Sequence, residues 1–377
     1  MTAMRILGGM DASGRGISLG IENGLQGAAT TQAPYLDATG LTVVPGFVDI
    51  QINGAFGSDF TENPETIWDV GARLPETGVT AFCPTIITSP DGSIQAAQAA
   101  MGLRPKGYVG AEPVGLHIEG PFLSREKRGT HPEDLLRNPG DVPLTPEHVS
   151  IVTIAPELPG AIELIADLTS QGIVASVGHS AATGDMTRAA LDAGATLGTH
   201  LFNAMPPLTA REPGVAGVLL ADPRAYFGVI VDGHHLDPAT LRLSWNAAPD
   251  RFCIITDAIA AAGQSDGSYR IGSVEVEKRN DVVRNADGTL AGAAVTMDRE
   301  LAILMAATEA PLDEAVAAVT FNPSEAIGSW DRGRLRRGTR GDITLLDGQD
   351  VAATIVGGRI AFLRDRGRWK EPTNAAS

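Results

Sequence analysis

The chain has 377 residues, of which 43% are hydrophobic and 20% charged, and its formal net charge is −16 at pH 7. This length exceeds that of one small core and predicts one large barrel or two domains. The negative charge argues against a nucleic acid or an anionic membrane as a partner. Residues 1–16 lack the apolar run of a signal peptide, and no apolar segment is as long as a membrane span. Cys83 and Cys253 lie in apolar runs, which are typical of buried free thiols. We therefore expect a cytoplasmic protein.

Residues 1–44 carry short β-like segments with frequent glycine and no helical period, namely Met4–Leu7 and Ile17–Ile21. Similar segments return after residue 336, as Asp342–Asp347 and Ala353–Ile360. Neither set of strands is large enough to bury a hydrophobic face alone. We therefore predict that residues 1–44 and 336–377 pair in one small β-sandwich domain.

Between residues 45 and 335, apolar runs that end in polar residues alternate with helical patterns. Such strands indicate a buried parallel sheet, and their number favours a (β/α)8 TIM-type barrel. A doubly wound open sheet is the alternative, but no Gly-x-Gly-x-x-Gly follows the first strand. The predicted strands are Val44–Gln51, Val79–Thr85, Val114–Glu119, Val149–Ala155, Gly172–His179, Ala195–His200, Tyr226–Asp232 and Phe252–Asp257, and the predicted helices are Glu65–Thr77, Gly92–Met101, Ala161–Ser170, Thr183–Ala193, Pro238–Trp245, Met297–Ala307 and Leu312–Thr320.

Charged and imidazole side chains recur at the carboxyl ends of these strands, where a barrel of this kind builds its active site. Glu119, His179 and His200 together offer one oxygen and two nitrogen ligands, which leaves a fourth position for water in a catalytic zinc site. Fe²⁺, Co²⁺ or Mn²⁺ would also accept this set. Singly, each residue could equally be a solvated acid or a hydrogen-bonded core histidine.

Asp257 ends the last predicted strand, beside the proposed metal. Its carboxylate could take a proton from a metal-activated water and pass it to a leaving amine. The alternatives are a fourth metal ligand and a purely structural acid.

The remaining polar candidates are more ambiguous. His117 precedes Glu119 by two residues on the same strand face and is interpreted as a packing histidine. His148 precedes a strand and is expected to be exposed. His234 and His235 are adjacent residues at the end of a strand. Their side chains point to opposite sides, so only one of them can face the site. Arg211, in a proline-rich loop, suits a phosphate or carboxylate, although a simple surface charge explains it too.

Short motifs follow one another in order from about Val43 to the C terminus: Pro45–Asp49, Gly115–Phe122, Gly129–His131, Gly178–Ser180, Thr199–Met205, Arg211–Gly214, Asp232–His235 and Thr256–Ala258. Together they resemble the N-acetylglucosamine-6-phosphate deacetylase family of the amidohydrolase superfamily. The resemblance implies a metal-dependent hydrolase that releases acetate from N-acetylglucosamine 6-phosphate.

Residue by residue, the resemblance implies that Glu119, His179 and His200 hold one divalent metal, with Zn²⁺ expected. It makes Asp257 the general base and acid, and His131 the residue that holds and polarises the acetyl carbonyl. It also implies a homodimer, because Arg211 would reach in from a neighbouring subunit. The implied sugar-phosphate contacts are His131, Asn203, Ala204, Arg211, His235, Leu290, Ala291 and Gly292.

One departure separates this chain from many members of the superfamily, which carry His-x-His on the first strand to hold a second metal. Here these positions are Gln51 and Asn53. Neutral amides are poor ligands for a transition metal, so the sequence predicts a one-metal site. Two other hypotheses are an amidohydrolase with a different N-acyl substrate, such as an N-acyl-amino-acid deacylase or a dihydroorotase-like ring opener, and a metal-free sugar-phosphate sensor.

Overall fold

A barrel of parallel strands forms the centre of the protein. The computed structural model describes residues 3–28 and 30–371, and in this part of the chain eight parallel strands pair in sequence order. The first and last strands approach each other through a hydrogen bond from the Asp257 amide to the Gln51 carbonyl, 2.9 Å long, so the barrel nearly closes. The strands are Phe47–Ile52, Val79–Ile87, Leu116–Glu119, Val149–Ile154, Val174–Val177, Leu197–Gly198, Tyr226–Val229 and Phe252–Ile254. The predicted fold class is therefore confirmed.

Helices surround the barrel, and most of them follow a strand as the sequence predicts. The helix Gly214–Ala221 was not predicted, because it is apolar on all sides and lacks the alternation of a half-exposed helix. In the described part of the chain, no helix combines the length and the apolar character needed to cross a bilayer. The α-helices are Ile67–Arg73, Ser93–Met101, Ala161–Ser170, Gly184–Asp192, Gly214–Ala221, Pro238–Ala247, Met297–Thr308, Leu312–Ala317 and Phe321–Ala326, with 3₁₀ turns at Pro64–Thr66, Leu74–Thr77, Glu133–Leu135 and Arg366–Arg368.

The two ends of the chain pair in a second, mixed sheet, as predicted. Thr42–Pro45 runs antiparallel to Ile343–Asp347, which joins the N-terminal strands to the C-terminal ones. The prediction of one strand over Ala353–Ile360 is wrong, because the chain reverses at Gly357 and Gly358, both at positive φ, and forms a hairpin. The domain boundaries remain a prediction. The strands are Ala3–Met10, Gly16–Glu22, Leu25–Gly27, Tyr35–Asp37, Thr42–Pro45, Ile343–Asp347, Asp350–Val356, Arg359–Leu363 and Trp369–Lys370.

A small antiparallel sheet, absent from the prediction, lies between the last barrel strand and the helix Met297–Thr308. Its strands are Gly267–Ile271, Val274–Arg279 and Val282–Asn285. In the central strand, Glu275 and Glu277 are exposed and Val276 is buried, an alternation that indicates a strand with one solvated face. We call this sheet and the turn that follows it, residues 267–292, the insert sheet. Four of its residues line a cavity at the carboxyl ends of the barrel strands: Ile271, Thr289, Leu290 and Gly292.

Candidate active site

A cavity of about 360 Å³ opens at the carboxyl ends of the barrel strands. This volume lies in the range of small-molecule sites. The cavity brings together most of the residues that the sequence analysis selected, although they are distant along the chain. Its lining includes Glu119, His131, His179, His200, Asn203, Ala204, His235, Asp257, Leu290 and Gly292.

Two predicted contact residues lie elsewhere. Ala291 is buried at 1% exposure, between the lining residues Leu290 and Gly292, and does not itself line the cavity. Arg211 is exposed on the loop after the sixth strand and does not line the cavity of its own chain.

The side chains of Glu119, His179 and His200 converge on one point. The Nε2 atom of His200 lies 3.1 Å from Oε1 of Glu119 and 3.0 Å from Nε2 of His179, and the remaining edge, from His179 Nε2 to Glu119 Oε1, is 3.3 Å. Ligand atoms around a tetrahedral zinc with bonds of about 2.1 Å are separated by roughly 3.4 Å. The three atoms therefore fit a divalent metal with little adjustment.

The charge of this cluster also fits a cation. All three side chains are buried, and burial alone would raise the pKa of Glu119. Hydrogen bonds from His179 and His200 outweigh burial and hold the pKa of this carboxyl well below its usual range. Glu119 is therefore a buried carboxylate, which needs a positive partner in a site of low polarity.

His131 competes with His200 as a third ligand, because ligand atoms of Glu119, His131 and His179 lie within 4.8 Å of one another. The backbone amide of Thr88 donates to Nδ1 of His131 at 3.3 Å, so Nδ1 is an acceptor and a neutral ring carries its proton on Nε2. Burial, followed by the nearby His179, lowers the pKa of His131 to about 3 and keeps the ring neutral. In this tautomer Nε2 of His131 is a hydrogen-bond donor.

His179 is oriented through its other ring nitrogen. Its Nδ1 lies 2.8 Å from the carbonyl oxygen of Lys127, which can only accept a hydrogen bond. Nδ1 therefore carries a proton, and Nε2 is the atom that would offer a lone pair to a cation beside Glu119 and His200. A backbone carbonyl that fixes the ring in this way is a usual companion of a metal-binding histidine.

Asp257 lies beside the cluster and is held by the two amides of the first strand. Its Oδ1 accepts hydrogen bonds from Asn53 Nδ2 at 2.8 Å and from Gln51 Nε2 at 3.2 Å. Gln51 Nε2 also lies 3.1 Å from Oε1 of Glu119, so a single amide group bridges the two carboxylates. Burial, together with the charge of Glu119, raises the pKa of Asp257 to about 6. Gln51 and Asn53 thus act toward Asp257 as hydrogen-bond donors.

The backbone at the site adopts uncommon conformations. His179, His200 and Asp257 have positive φ values of 47°, 28° and 44°. Such values are rare for residues other than glycine and cluster at functional sites. They also explain why the fifth, sixth and eighth strands end earlier than predicted: the chain leaves the extended conformation at these residues.

The structure also places the four remaining histidines. His235 lines the cavity, and its Nδ1 donates to Asp232 Oδ2 at 2.8 Å, whereas His234 is exposed. His117 is buried below the site with both ring nitrogens bonded, to the Ile50 carbonyl and the Thr153 hydroxyl. His148 is exposed, as expected.

Two residues of the site were not identified from the sequence. Thr88 directly follows the second strand without a charge to signal it, yet its backbone amide fixes the tautomer of His131. Lys127, which lines the cavity, was not among the residues selected from the sequence. In the described lining, Lys127 is the residue with a permanent positive charge. Its position two residues before the Gly129–His131 motif could have indicated that it lies at the site.

A family model for the amidohydrolase family matches residues 42–361 of the chain. This match includes every barrel strand and each of the metal-ligand candidates. The chain therefore belongs to the amidohydrolase family.

Within this family, the chain is similar to two groups of sugar-phosphate deacetylases. It is 38% identical to the N-acetylglucosamine-6-phosphate deacetylase of Homo sapiens over 88% of this chain and 86% of that protein. It is 34% identical to the N-acetylgalactosamine-6-phosphate deacetylase of Escherichia coli O157:H7 over 84% of this chain and 87% of that protein. A mutant N-acetyl-D-glucosamine-6-phosphate deacetylase from Mycobacterium smegmatis, solved in complex with N-acetyl-D-glucosamine-6-phosphate, aligns with a TM-score of 0.83 and 34% identity over 96% of this chain and 99% of that chain.

Replacing His200 by alanine is expected to lower the bound metal from about one ion per chain to near zero, because it removes one of three ligands. Elemental analysis of purified protein, dialysed against a zinc buffer, measures this directly. His148→Ala is the matched control, since it removes an exposed histidine. If His200→Ala retains its metal while His131→Ala loses it, the ligand assignment is wrong.

Proposed function

We propose that this protein hydrolyses the N-acetyl group of N-acetylglucosamine 6-phosphate and releases glucosamine 6-phosphate and acetate. The observation that carries the proposal is the convergence of Glu119, His179 and His200 beside Asp257, in a cavity of a chain that is 38% identical to a relative named as a deacetylase of this substrate. An acid near the metal ligands suits hydrolysis of an amide, which needs both a base for water and an acid for the leaving nitrogen.

Glu119, His179 and His200 would hold one divalent cation. When bound, it would polarise the acetyl carbonyl and lower the pKa of water toward neutrality. Zn²⁺ suits one carboxylate and two imidazoles, with Fe²⁺, Co²⁺ and Mn²⁺ as the alternatives. The hydrogen bonds that Gln51 and Asn53 donate to Asp257 favour one ion per subunit over two.

Asp257 would accept the proton of the attacking water and then deliver it to the departing amine nitrogen. A pKa near 6 suits both steps, because the carboxylate is ionised at neutral pH yet basic enough to hold the proton briefly. Gln51 and Asn53 would fix the orientation of this carboxylate. They would do so without a charge that lowers its basicity further.

His131 would stabilise the oxygen of the acetyl group as negative charge develops on it. Its Nε2–H, fixed by the Thr88 amide at Nδ1, is a neutral donor on a buried residue that lines the cavity. Such a preorganised donor stabilises the transition state more than the ground state.

Asn203, Ala204 and His235 would contact the sugar phosphate from one side of the cavity, and Leu290, Ala291 and Gly292 would contact it from the insert sheet. An anionic substrate needs local positive charge in a chain whose formal net charge is −16. Lys127 supplies part of it. Arg211 would supply the rest from a neighbouring subunit, which would make the protein a homodimer. Buried free thiols at Cys83 and Cys253 agree with a cytoplasmic location.

A second candidate substrate is N-acetylgalactosamine 6-phosphate, because a relative of similar identity bears that activity in its name. The two sugars differ only in the configuration of one hydroxyl group. The same metal ligands, base and phosphate contacts would serve both.

Acetate release measured on one zinc-loaded preparation tests the function and separates these substrates. We expect turnover of N-acetylglucosamine 6-phosphate, with the galactosamine epimer slower and unphosphorylated N-acetylglucosamine slower still. A preference for the epimer would move the assignment to that substrate. Release of acetate from N-acetyl amino acids, but from neither sugar phosphate, would contradict the proposal.

Asp257→Asn is expected to reduce kcat by about 10² to 10⁴, since amide nitrogen cannot accept the water proton. Metal content should stay at the parent level, because Asp257 is not one of the three proposed ligands. Asp250→Asn, which changes an exposed acid just before the same strand, is the control. Turnover of Asp257→Asn near that of the parent would rule out the role as base.

Arg211→Ala is expected to raise KM for the phosphorylated sugar by about 10- to 100-fold, the usual value of one charge-assisted hydrogen bond. The kcat should change little, and the unphosphorylated sugar should be unaffected. Arg224→Ala, at another exposed arginine, controls for the loss of surface charge. Equal losses of kcat/KM on both sugars would remove the phosphate assignment.

A further inference from the structure

The loop that carries Arg211 is a tight, internally bonded turn. The Thr209 amide donates to the Glu212 carbonyl at 2.9 Å, and the Glu212 amide donates back to the Thr209 hydroxyl oxygen at 3.1 Å. That hydroxyl group also donates to the Glu212 carbonyl at 3.1 Å. Arg211 is therefore held at the edge of a closed turn although its side chain is exposed.

The carboxylate of Glu212 fastens this turn to two helices. Its Oε1 accepts hydrogen bonds from the backbone amides of Gly184 at 2.6 Å and of Gly214 at 3.0 Å. These amides begin the helices Gly184–Asp192 and Gly214–Ala221. The first amides of a helix have no partner within it, and a negative charge is favoured there.

The pKa of Glu212 agrees with these two hydrogen bonds. The hydrogen bonds from Gly184 and Gly214 lower the pKa of its carboxyl below the usual range, although the residue is exposed. The packing around it is also close, because a Cβ added to Gly184 would lie 2.8 Å from Cγ of Pro213. The turn, Pro213 and the starts of both helices thus form one rigid unit.

Arg211 has no comparable restraint of its own. Within residues 3–28 and 30–371, its guanidinium group makes no hydrogen bond or ion pair, and it does not line the cavity of its chain. The turn therefore restrains the backbone of Arg211, whereas the guanidinium group itself is not held by a contact. A charged side chain that must meet a phosphate outside its own subunit loses less entropy on binding when its backbone is already fixed.

We propose that Glu212 is a positioning residue for substrate recognition: by joining the turn to two helix N termini, it holds Arg211 where the phosphate of a substrate in a neighbouring subunit can reach it. This inference rests on the proposed function and adds a residue to it. Glu212 is not among the residues that line the cavity and is not one of the proposed metal ligands, so it would act through Arg211.

Steady-state kinetics with phosphorylated and unphosphorylated N-acetylglucosamine test the role. Glu212→Ala should raise KM for the phosphorylated sugar by about tenfold, because small displacements of a recognition group are costly. Its kcat and its activity on the unphosphorylated sugar should stay near those of the parent. Glu212→Gln keeps an acceptor oxygen for both amides and should recover most of the affinity.

The double variant Arg211→Ala/Glu212→Ala separates positioning from a general structural effect. If Glu212 acts through Arg211, removing Glu212 from the Arg211→Ala protein should leave KM unchanged. Asp185→Asn is the matched control, because Asp185 is a fully exposed acid, 97% by side chain, in the first turn of the same helix. It should behave as the parent does.

The outcomes distinguish this inference from the function on which it rests. A parent enzyme that prefers the phosphorylated sugar, combined with a Glu212→Ala variant of unchanged KM, overturns the positioning role alone. Equal losses on both sugars, or losses that add fully to those of Arg211→Ala, overturn it too. A parent that releases acetate from neither sugar overturns both proposals.

Discussion

The site depends on one physical constraint: Glu119 is a buried carboxylate that must be neutralised. Its Oε1 lies within 3.3 Å of His179 Nε2 and within 3.1 Å of His200 Nε2 and of Gln51 Nε2, so positive or polar hydrogen-bond partners surround it. A charge in such a place costs several kcal/mol unless it is paired. A divalent cation at this point would offset that cost, which would link metal binding to the stability of the barrel mouth.

The same constraint explains the distribution of neutral groups around the site. Asp257 is a second buried carboxylate, and the charge of Glu119 contributes to its raised pKa of about 6. Gln51 and Asn53 stabilise it with uncharged donors, which leaves it able to exchange a proton. His131 is kept neutral by burial and by its neighbours.

Part of the cavity lining comes from segments outside the barrel strands. The insert sheet closes one side of the cavity through Ile271 and Leu290, and loops supply Asn203 and His235 on the other. The turn that carries Arg211 faces outward and is fastened by Glu212 to two helices. Barrels of this type commonly keep chemistry on the strand ends and leave selectivity to the loops.

The sequence by itself determined the alternation of strands and helices, the pairing of the chain ends, and the identity of Glu119, His179, His200 and Asp257 as candidates. It could do so because buried parallel strands are continuous apolar runs, and a polar residue at the end of such a run is conspicuous. The helix Gly214–Ala221 and the insert sheet were missed. The helix is apolar on all sides and shows no hydrophobic periodicity, and the sheet does not follow the alternation of strand and helix that marks the barrel.

Only the tertiary structure decided which polar groups form hydrogen bonds with one another at the site. The tautomer of His131 depends on the Thr88 amide, 43 residues away in sequence, and the choice between His234 and His235 depends on the Asp232 carboxylate. The link from Glu212 to Gly184 spans 28 residues. These contacts depend on distance and direction in space, which hydrophobic periodicity along the chain does not encode.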